Sequence, residues 1–254
     1  MKPLIQTRLK EPPNYIFIDK TLFFPAEGIL VIGDLHIGYE TMLKAFGLQI
    51  PLNLTKEIIE DLKRIFSEIK ARKYNINKVI FLGDIKHIFS PEYQEKKEFF
   101  QVLNLIEKHV KSKNDIILIK GNHDTFDFSG IKMRNYYINN DIAFLHGHKD
   151  FKQVYNKKIK YVVIGHIHPS IRLSDKAKSE KFKCFLVGNY KNKQFIILPS
   201  FFNVIEGTDV NDYHDSHSYQ DHFSIIPRKS LLNFNVYVVG ENNKIYDFWK
   251  VKRL

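Results

Sequence analysis

The stretch Gly28 to Glu40, GILVIGDLHIGYE, sets Asp34 and His36 on either side of one leucine at the end of an apolar run. The construction recurs at VIFLGDIKH with Asp84, at IILIKGNHD with Asn122, His123 and Asp124, and at YVVIGHIHP with His166 and His168. A related run, AFLHGH, ends in His146 and His148. Loops at the carboxyl ends of strands in an α/β sheet gather at one edge and form the site there. Asp34, His36, Asp84, Asn122, His123, His146, His166 and His168 can therefore converge although they span more than half the chain. So many oxygen and imidazole donors, with no thiolate, exceed the needs of one zinc site. They suit two ions of the manganese, iron or zinc kind sharing a bridging carboxylate. The glycine before each polar group is expected to let the backbone turn without a Cβ clash.

The elements must bring those ends to one edge. YIFIDKTLFFPAEGILVIGD reads as a hairpin turning at Asp19-Lys20, followed by a buried strand. NLTKEIIEDLKRIFSEIKARK spaces Ile58, Ile59, Leu62, Ile65, Phe66 and Ile69 helically, with Thr55 or Asn53 as cap. SPEYQEKKEFFQVLNLIEKHV predicts a second amphipathic helix, with Ser90 as cap and Pro91 at its first position. NKVIFLGD and DIILIKGNHD are apolar strands, and their alternation with helices predicts a parallel sheet covered on both faces. Past Asn135 the chain becomes β-rich without a strong helix signal, so short antiparallel strands are expected to form a second sheet or extend the first. No Pro/Gly/Ser linker or repeat divides the chain, and residues 1–254 read as one domain whose 171–235 part is β-rich. In that part SDKAKSEKFK (174–183) is dense in lysine and NDYHDSHSYQDH (211–222) holds His214, His217 and His222. Both are expected to be exposed loops.

At 44% apolar and 26% charged residues the chain has ordinary globular composition and ample material for a core. No apolar stretch approaches the roughly 18 residues of a membrane span, and MKPLIQTRLKEPPNY lacks the apolar region of a signal peptide. The single cysteine, Cys184, excludes an internal disulfide, suits a reducing cytoplasm and is read as a core residue. The net charge of +11 favours polyanionic partners. Lysine and aromatic residues mix in YNKKIKY (155–161), in 174–183 and around Lys191, Lys193 and Arg172. That mixture would serve phosphate contact and base stacking.

In their order, D-x-H (Asp34, His36), G-D (Gly83, Asp84), G-N-H-D (Gly121 to Asp124), H-G-H (His146 to His148) and G-H-x-H (Gly165 to His168) resemble the calcineurin-like metallophosphoesterases. GDLHIGYE, GDIKH, GHIHPSIRL and LPSFFNVIEGTDVN are similar to the ICC-like branch associated with DNA ligase and helicase genes, whose characterised members are manganese-dependent DNA nucleases. The resemblance implies an α/β fold, a four-layer α/β/β/α sandwich with central mixed sheets flanked by helices. It implies one metal on Asp34, His36, Asp84 and His168, and a second on Asp84 as bridge, Asn122, His146 and His166. The ions would be Mn2+, with Fe, Zn or Ni accepted by the same donors. A hydroxide bridging them would attack a phosphodiester in line.

His123 is not a ligand in the family; its implied role is to stabilise developing charge or protonate the leaving oxygen. Asp124 would orient His123 or cap a helix. His148 would support a ligand, contact phosphate, or be structural, while Lys86 and His87 would reach substrate phosphate or pack locally. His109, at a helix end, complements the dipole. The implied function is a DNA nuclease or phosphodiesterase, cytoplasmic and off the membrane, in DNA repair beside a helicase or ligase, with homodimers common in the family. A phosphodiesterase or phosphatase for small phosphoesters is the alternative, and a non-catalytic scaffold a further one. GDIKHIF departs from the G-D-x-V-D-R-G of protein phosphatases.

Overall fold

The computed structural model describes residues 14–47, 53–87, 93–124, 131–175, 178–204, 207–211, 224–241 and 244–254. His214, His217 and His222, together with Ser90 and Pro91, lie outside them.

The first sheet has the order β1 (Ile16–Ile18), β2 (Thr21–Phe24), β3 (Ile29–Ile32), β4 (Lys78–Phe81), β5 (Ile116–Leu118). The β1–β2 hairpin turns through Asp19, whose φ of 51° lies in the left-handed region that aspartate tolerates. β3, β4 and β5 run parallel and in register, Ile29 beside Lys78 and Val79 beside Ile116. They are parallel because helices cross between them on one face. α2 (Leu54–Ala71) buries Ile58, Leu62, Ile65, Phe66 and Ile69, and α3 (Tyr93–Ile106) buries Phe99, Val102, Leu103 and Ile106. These stripes cover the alternate strand residues Leu30, Ile32, Val79, Phe81, Ile116 and Leu118. The opposite strand face, including Val31, Ile80 and Ile117, packs against Phe144, Val163, Phe185 and Ile196 of the second sheet. Burial on both faces explains the near-continuous apolar runs.

The second sheet has nine strands: β6 (Tyr136–Asn139), β7 (Ile142–Leu145), β8 (Tyr161–Ile164), β9 (Pro169–Ser174), β10 (Ser179–Tyr190), β11 (Lys193–Ile197), β12 (Thr208–Asp209), β13 (Asn235–Val239) and β14 (Ile245–Lys250). Its order is β12-β9-β10-β11-β8-β7-β6, with β13 pairing both β10 and β14. Antiparallel pairing was the expectation here; the centre, β7-β8-β11, is parallel, as is the edge pair β9-β12, and the remaining pairs are antiparallel. Its outer face carries Leu145, Ile164, Cys184 and Ile197 under a thin layer. That layer is Val154 from a 3-10 turn at Lys152–Tyr155, Ile226, and Leu231 from the four-residue α4 (Arg228–Leu231). The result is an α/β fold of two mixed sheets with helices outside. No helix among the described residues is long and apolar enough to cross a membrane.

The lysine-dense stretch 174–183 is not a loop throughout. Ser179 to Lys183 pair with Ser174 to Ser170, which makes most of it the upper half of the β9–β10 hairpin. Lys181 and Lys183 alternate with Phe182 and Cys184, a strand period hidden by the charge. Helix α1 (Tyr39–Ala45) gave no signal: it has seven residues, and its N-cap, Gly38, makes no side-chain cap bond.

Candidate metal centre

The pairing of β3 and β4 resumes beyond their ends. The amides of Leu35 and His36 donate to the Asp84 carbonyl (3.1 and 3.0 Å), that of Ile37 to Ile85 (2.9 Å) and that of His87 back to Ile37 (2.8 Å). This zipper holds Asp34, His36 and Asp84 side by side. The loop after β5 joins through Asp124, whose buried carboxylate accepts the amides of Gly121 (2.9 Å), Ile85 (3.1 Å) and Lys86 (3.4 Å). Burial raises this carboxyl to about 6. His146 follows β7, and His166 and His168 follow β8. The His166 amide donates to Asp34 Oδ2 at 3.2 Å, which ties the second sheet to the first.

Nine non-glycine residues among those described have a positive φ, and four are candidate ligands: His36 (47°), Asp84 (43°), His166 (65°) and His168 (48°). The other five, among them Asp19 and Asn140, lie outside the ligand set. Such a conformation costs roughly 1–3 kcal/mol per residue and persists where the surroundings over-determine it. The candidate ligands themselves thus make the sharp turns, which the sequence reading gave to the glycines. Gly83 does share that task, at φ 103°. Gly121 and Gly165 serve by leaving room. A Cβ on Gly121 would sit 2.1 Å from Asp84 Oδ1, and one on Gly165 2.5 Å from Asp34 Oδ2.

Two groups of donors result. In each, Asp34 with His36 and His168, and Asp84 with His146 and His166, one donor atom per residue lies within 4.8 Å of the others. His146 connects the groups: its Nε2 is 3.3 Å from Asp84 Oδ2 and its Nδ1 3.4 Å from Asp34 Oδ1. Its Nδ1 lies 2.8 Å from the Leu82 carbonyl, which orients Nε2 toward Asp84 and toward Asn122 Oδ1 at 3.1 Å. The Nε2 atoms of His36 and His168 and Nδ1 of His148 are buried without a hydrogen-bond partner. His168 Nε2 stands 3.2 Å from Asp34 Oδ1. Buried imidazole nitrogens facing carboxylates with nothing to bind are what a divalent cation would satisfy, and the donor set fits one in each group.

The charges agree. Burial favours neutral carboxyls, yet His168, His146 and His36 together hold Asp34 well below the usual carboxylate range. Burial likewise opposes the Asp84 carboxylate, but its hydrogen bond to His146, the charge of that ring and the His123 amide together hold it below its ordinary value. Burial would lower His146, but the Asp84 hydrogen bond and the two carboxylates raise it to about 9. Burial, then the neighbouring His168, pushes His36 down to about 3. A cation entering here competes with the His146 proton for the same two carboxylates.

His123 is half-buried beside the centre, its ring 5.6 Å from that of His36. Its amide donates to Asp84 Oδ1 (2.9 Å) and its Nδ1 lies 3.1 Å from the His87 carbonyl. The group that orients the ring is therefore that carbonyl. Asp124, read as either its orienter or a helix cap, is occupied by backbone amides and acts as a clasp between two loops. Lys86, read as either reaching substrate or packing locally, is buried with Glu95, Asp124 and Lys96 as its charged surroundings, which fits the packing role. His87 is at the site, with Nδ1 3.4 Å from His36 Nδ1. His148 lies 5.1 Å from His146, ring to ring. His109 stacks on Phe66 at 4.0 Å, away from the centre. Lys157, Lys158, Lys160, Lys191 and Lys193 cluster at the starts of β8 and β11, at the opposite end of the second sheet from the candidate ligands. Lys160 is paired there with Asp141, and Lys193 caps the Asn156 and Ile159 carbonyls.

Sequence reading missed the support under Asp34. The Asp34 carbonyl accepts the amides of Phe201 (3.0 Å) and Phe202 (3.3 Å) and the Ser200 hydroxyl (3.3 Å). Lys183 Nζ in turn donates to the carbonyls of Ser200 and Phe202. Nearby Lys20 Nζ binds Asp61 (2.7 Å) and Asn203 (2.6 Å). Tyr39 closes the rim, its ring 4.8 Å from His87 and 5.2 Å from Phe202. Only LPSFF, apolar and then abruptly turning after β11, signalled this support.

Burial, followed by the charge of Lys20, pushes the Lys183 ammonium down from 10.5 to about 7. The folded state therefore sheds this proton before the unfolded state does. The contribution of Lys183 to stability is complete above the unfolded value and is lost as pH falls through about 7. Lys183→Met is expected to cost about 1–3 kcal/mol through two uncapped carbonyls. In urea titrations with EDTA, the stability gap to wild type should widen between pH 7 and pH 10. A gap independent of pH would refute the assignment.

A family model described as calcineurin-like phosphoesterase matches residues 28–173. Among solved structures, nuclease MPE from Pseudomonas putida is similar at 19% identity over 92% of this chain and 94% of that one, with a TM-score of 0.59. Vacuolar protein sorting 29 from Cryptosporidium parvum aligns at 16% identity over 87% and 97% (TM-score 0.38). A metallophosphoesterase from Sphaerobacter thermophilus aligns at 13% over 87% of each chain (TM-score 0.34). At 19% identity the first likeness is one of fold. No curated protein matches the chain.

Proposed function

The chain belongs to the calcineurin-like phosphoesterase family, and we propose that it is a metal-dependent phosphodiesterase acting on DNA, a nuclease. The observation that carries this reading is the pair of donor groups meeting at His146, with the Nε2 atoms of His36 and His168 in the first of them buried and unpartnered. Asp34, His36 and His168 would hold one divalent ion, and His146, His166 and Asn122 the other, with Asp84 shared. When bound, the ions supply the Lewis-acid charge that makes water nucleophilic near neutral pH and holds a phosphate oxygen. Carboxylate, amide oxygen and imidazole donors suit Mn2+, and Fe, Zn or Ni less specifically.

The chain's own residues do the rest. His123 stands beside the centre with Nδ1 directed to the His87 carbonyl, so Nε2 is the atom that would pass a proton to the departing oxygen. Asp124 keeps the loops carrying Asp84 and His123 at a fixed separation. The Phe201–Phe202 amides and Ser200 fix the backbone of Asp34. His87, Tyr39 and Phe202 wall one side against water. His148, beside His146 and His166, would contact substrate phosphate or support a ligand.

The net charge of +11 and the branch motifs support DNA as substrate. They support, more broadly, a cytoplasmic repair enzyme that works beside a helicase or ligase, alone or as a homodimer. The core shared between the sheets supports reading the whole chain as one domain. The test is incubation with end-labelled single- and double-stranded DNA and with bis-p-nitrophenyl phosphate, adding each metal in turn. Manganese-dependent cleavage of both substrate types is expected. Hydrolysis of the small ester alone would replace the nuclease with a small-phosphoester enzyme, and no hydrolysis with any metal would leave a scaffold.

A further inference from the structure

The upper half of the β9–β10 hairpin continues the metal centre outward. β9 starts at Pro169, directly after His168, and pairs with the top of β10, above the level where β11 ends. Side chains alternate along a strand, so Ser170 and Arg172 on β9 share a face with Lys181 and Lys183 on β10 and Asp209 on β12. At its foot, this face meets the turn that fixes Asp34, because Lys183 reaches the Ser200 and Phe202 carbonyls. One pleat further out are Lys181 and Arg172, directly opposite each other, with exposures of 14% and 44%.

The charge on this face is unbalanced. Lys181 Nζ and the Arg172 guanidinium both bind the Asp209 carboxylate, each at 2.9 Å, and Ser170 Oγ binds it at 3.1 Å. Arg228 adds a third cation at the edge, its guanidinium 3.4 Å from the Asp209 carbonyl. Among the described residues no second acid answers Lys181 and Arg172: Glu180 points to the opposite face and pairs with Lys178. Two cations sharing one carboxylate keep a donor surface for another anion.

We propose that Arg172 and Lys181 hold backbone phosphates of a single-stranded polynucleotide beyond the scissile bond, with Asp209 holding both cations in place until the strand arrives. The proposal rests on the nuclease reading and names the surface that separates a polymeric substrate from a small ester. The other basic runs lie at the far end of the second sheet and have no part in it.

The test compares wild type, Arg172→Gln/Lys181→Gln and Asp209→Asn on a single-stranded oligonucleotide and on bis-p-nitrophenyl phosphate, both with manganese. The double variant should weaken oligonucleotide binding to the same degree whatever the sequence. Its slope of log affinity against log salt should be shallower by about 0.7 for each phosphate that is no longer neutralised. Asp209→Asn, which frees both cations, should bind the oligonucleotide more tightly. Turnover of the small ester should stay within twofold in both, which also reports an intact fold and centre. Unchanged oligonucleotide affinity and slope in the double variant, or equal losses on both substrates, would overturn the proposal while the nuclease reading stands. Wild-type protein that hydrolyses the ester and neither binds nor cuts the oligonucleotide would overturn both.

Discussion

Asp84→Asn should retain at most one divalent ion per chain and lose turnover of bis-p-nitrophenyl phosphate by on the order of 10³-fold or more, the scale of losing a main electrostatic stabiliser. The substitution preserves shape. Its remaining carbonyl oxygen can still accept the His123 amide, now 2.9 Å from Oδ1, and Gly121 still leaves room. What disappears is the charge that faces His146 Nε2 at 3.3 Å and that would bridge two cations. Replacing Asp34 would empty one position, whereas Asp84, as the shared ligand that the proposed function requires, would serve both. Elemental analysis after dialysis against manganese checks the stoichiometry, and circular dichroism checks the fold. Two ions retained with more than a tenth of the activity would show that Asp84 is no bridge.

His123→Ala should behave in the opposite way toward metal, losing about 10²–10⁴-fold in rate with both ions still bound. The backbone amide that anchors this loop to Asp84 survives the substitution, as do the amides clasped by Asp124. Removing an imidazole that protonates a leaving oxygen also has a chemical signature. p-Nitrophenolate departs readily without a proton, whereas a sugar alkoxide does not. The loss should therefore be larger on DNA than on bis-p-nitrophenyl phosphate. Equal losses on both would reassign His123 to stabilising charge on the phosphoryl oxygens, and no loss would remove it from the chemistry.

The sequence made the centre legible where chemistry is covalently tied to structure. Asp34, Asp84, Asn122 and His166 each follow an apolar strand within a few residues, so locating the strand also located the candidate donor. The hydrophobic stripes of α2 and α3 were equally readable, because they repeat along the element that displays them. What stayed hidden depends on which way a side chain points or on contacts distant in sequence. Lys86 is adjacent in sequence to exposed-looking residues, yet the loop pairing that buries it is a tertiary event. Asp124 is next to His123, and proximity suggested a partnership that three backbone amides pre-empt. Lys183 looked like one of many lysines on a loop. Its partners are 17 and 19 residues away, at the end of a different strand. The role of the glycines was misjudged for a related reason: a clash with Asp84 or Asp34 across the centre leaves no trace in the local sequence.

The most direct measurement is anomalous diffraction from crystals of the protein soaked in manganese. Two peaks are expected per chain, one among Asp34, His36 and His168 and the other among His146, His166 and Asn122, with Asp84 reaching both. A single peak, or none within reach of these side chains at saturating manganese, would contradict a two-metal centre and the phosphoester chemistry built on it.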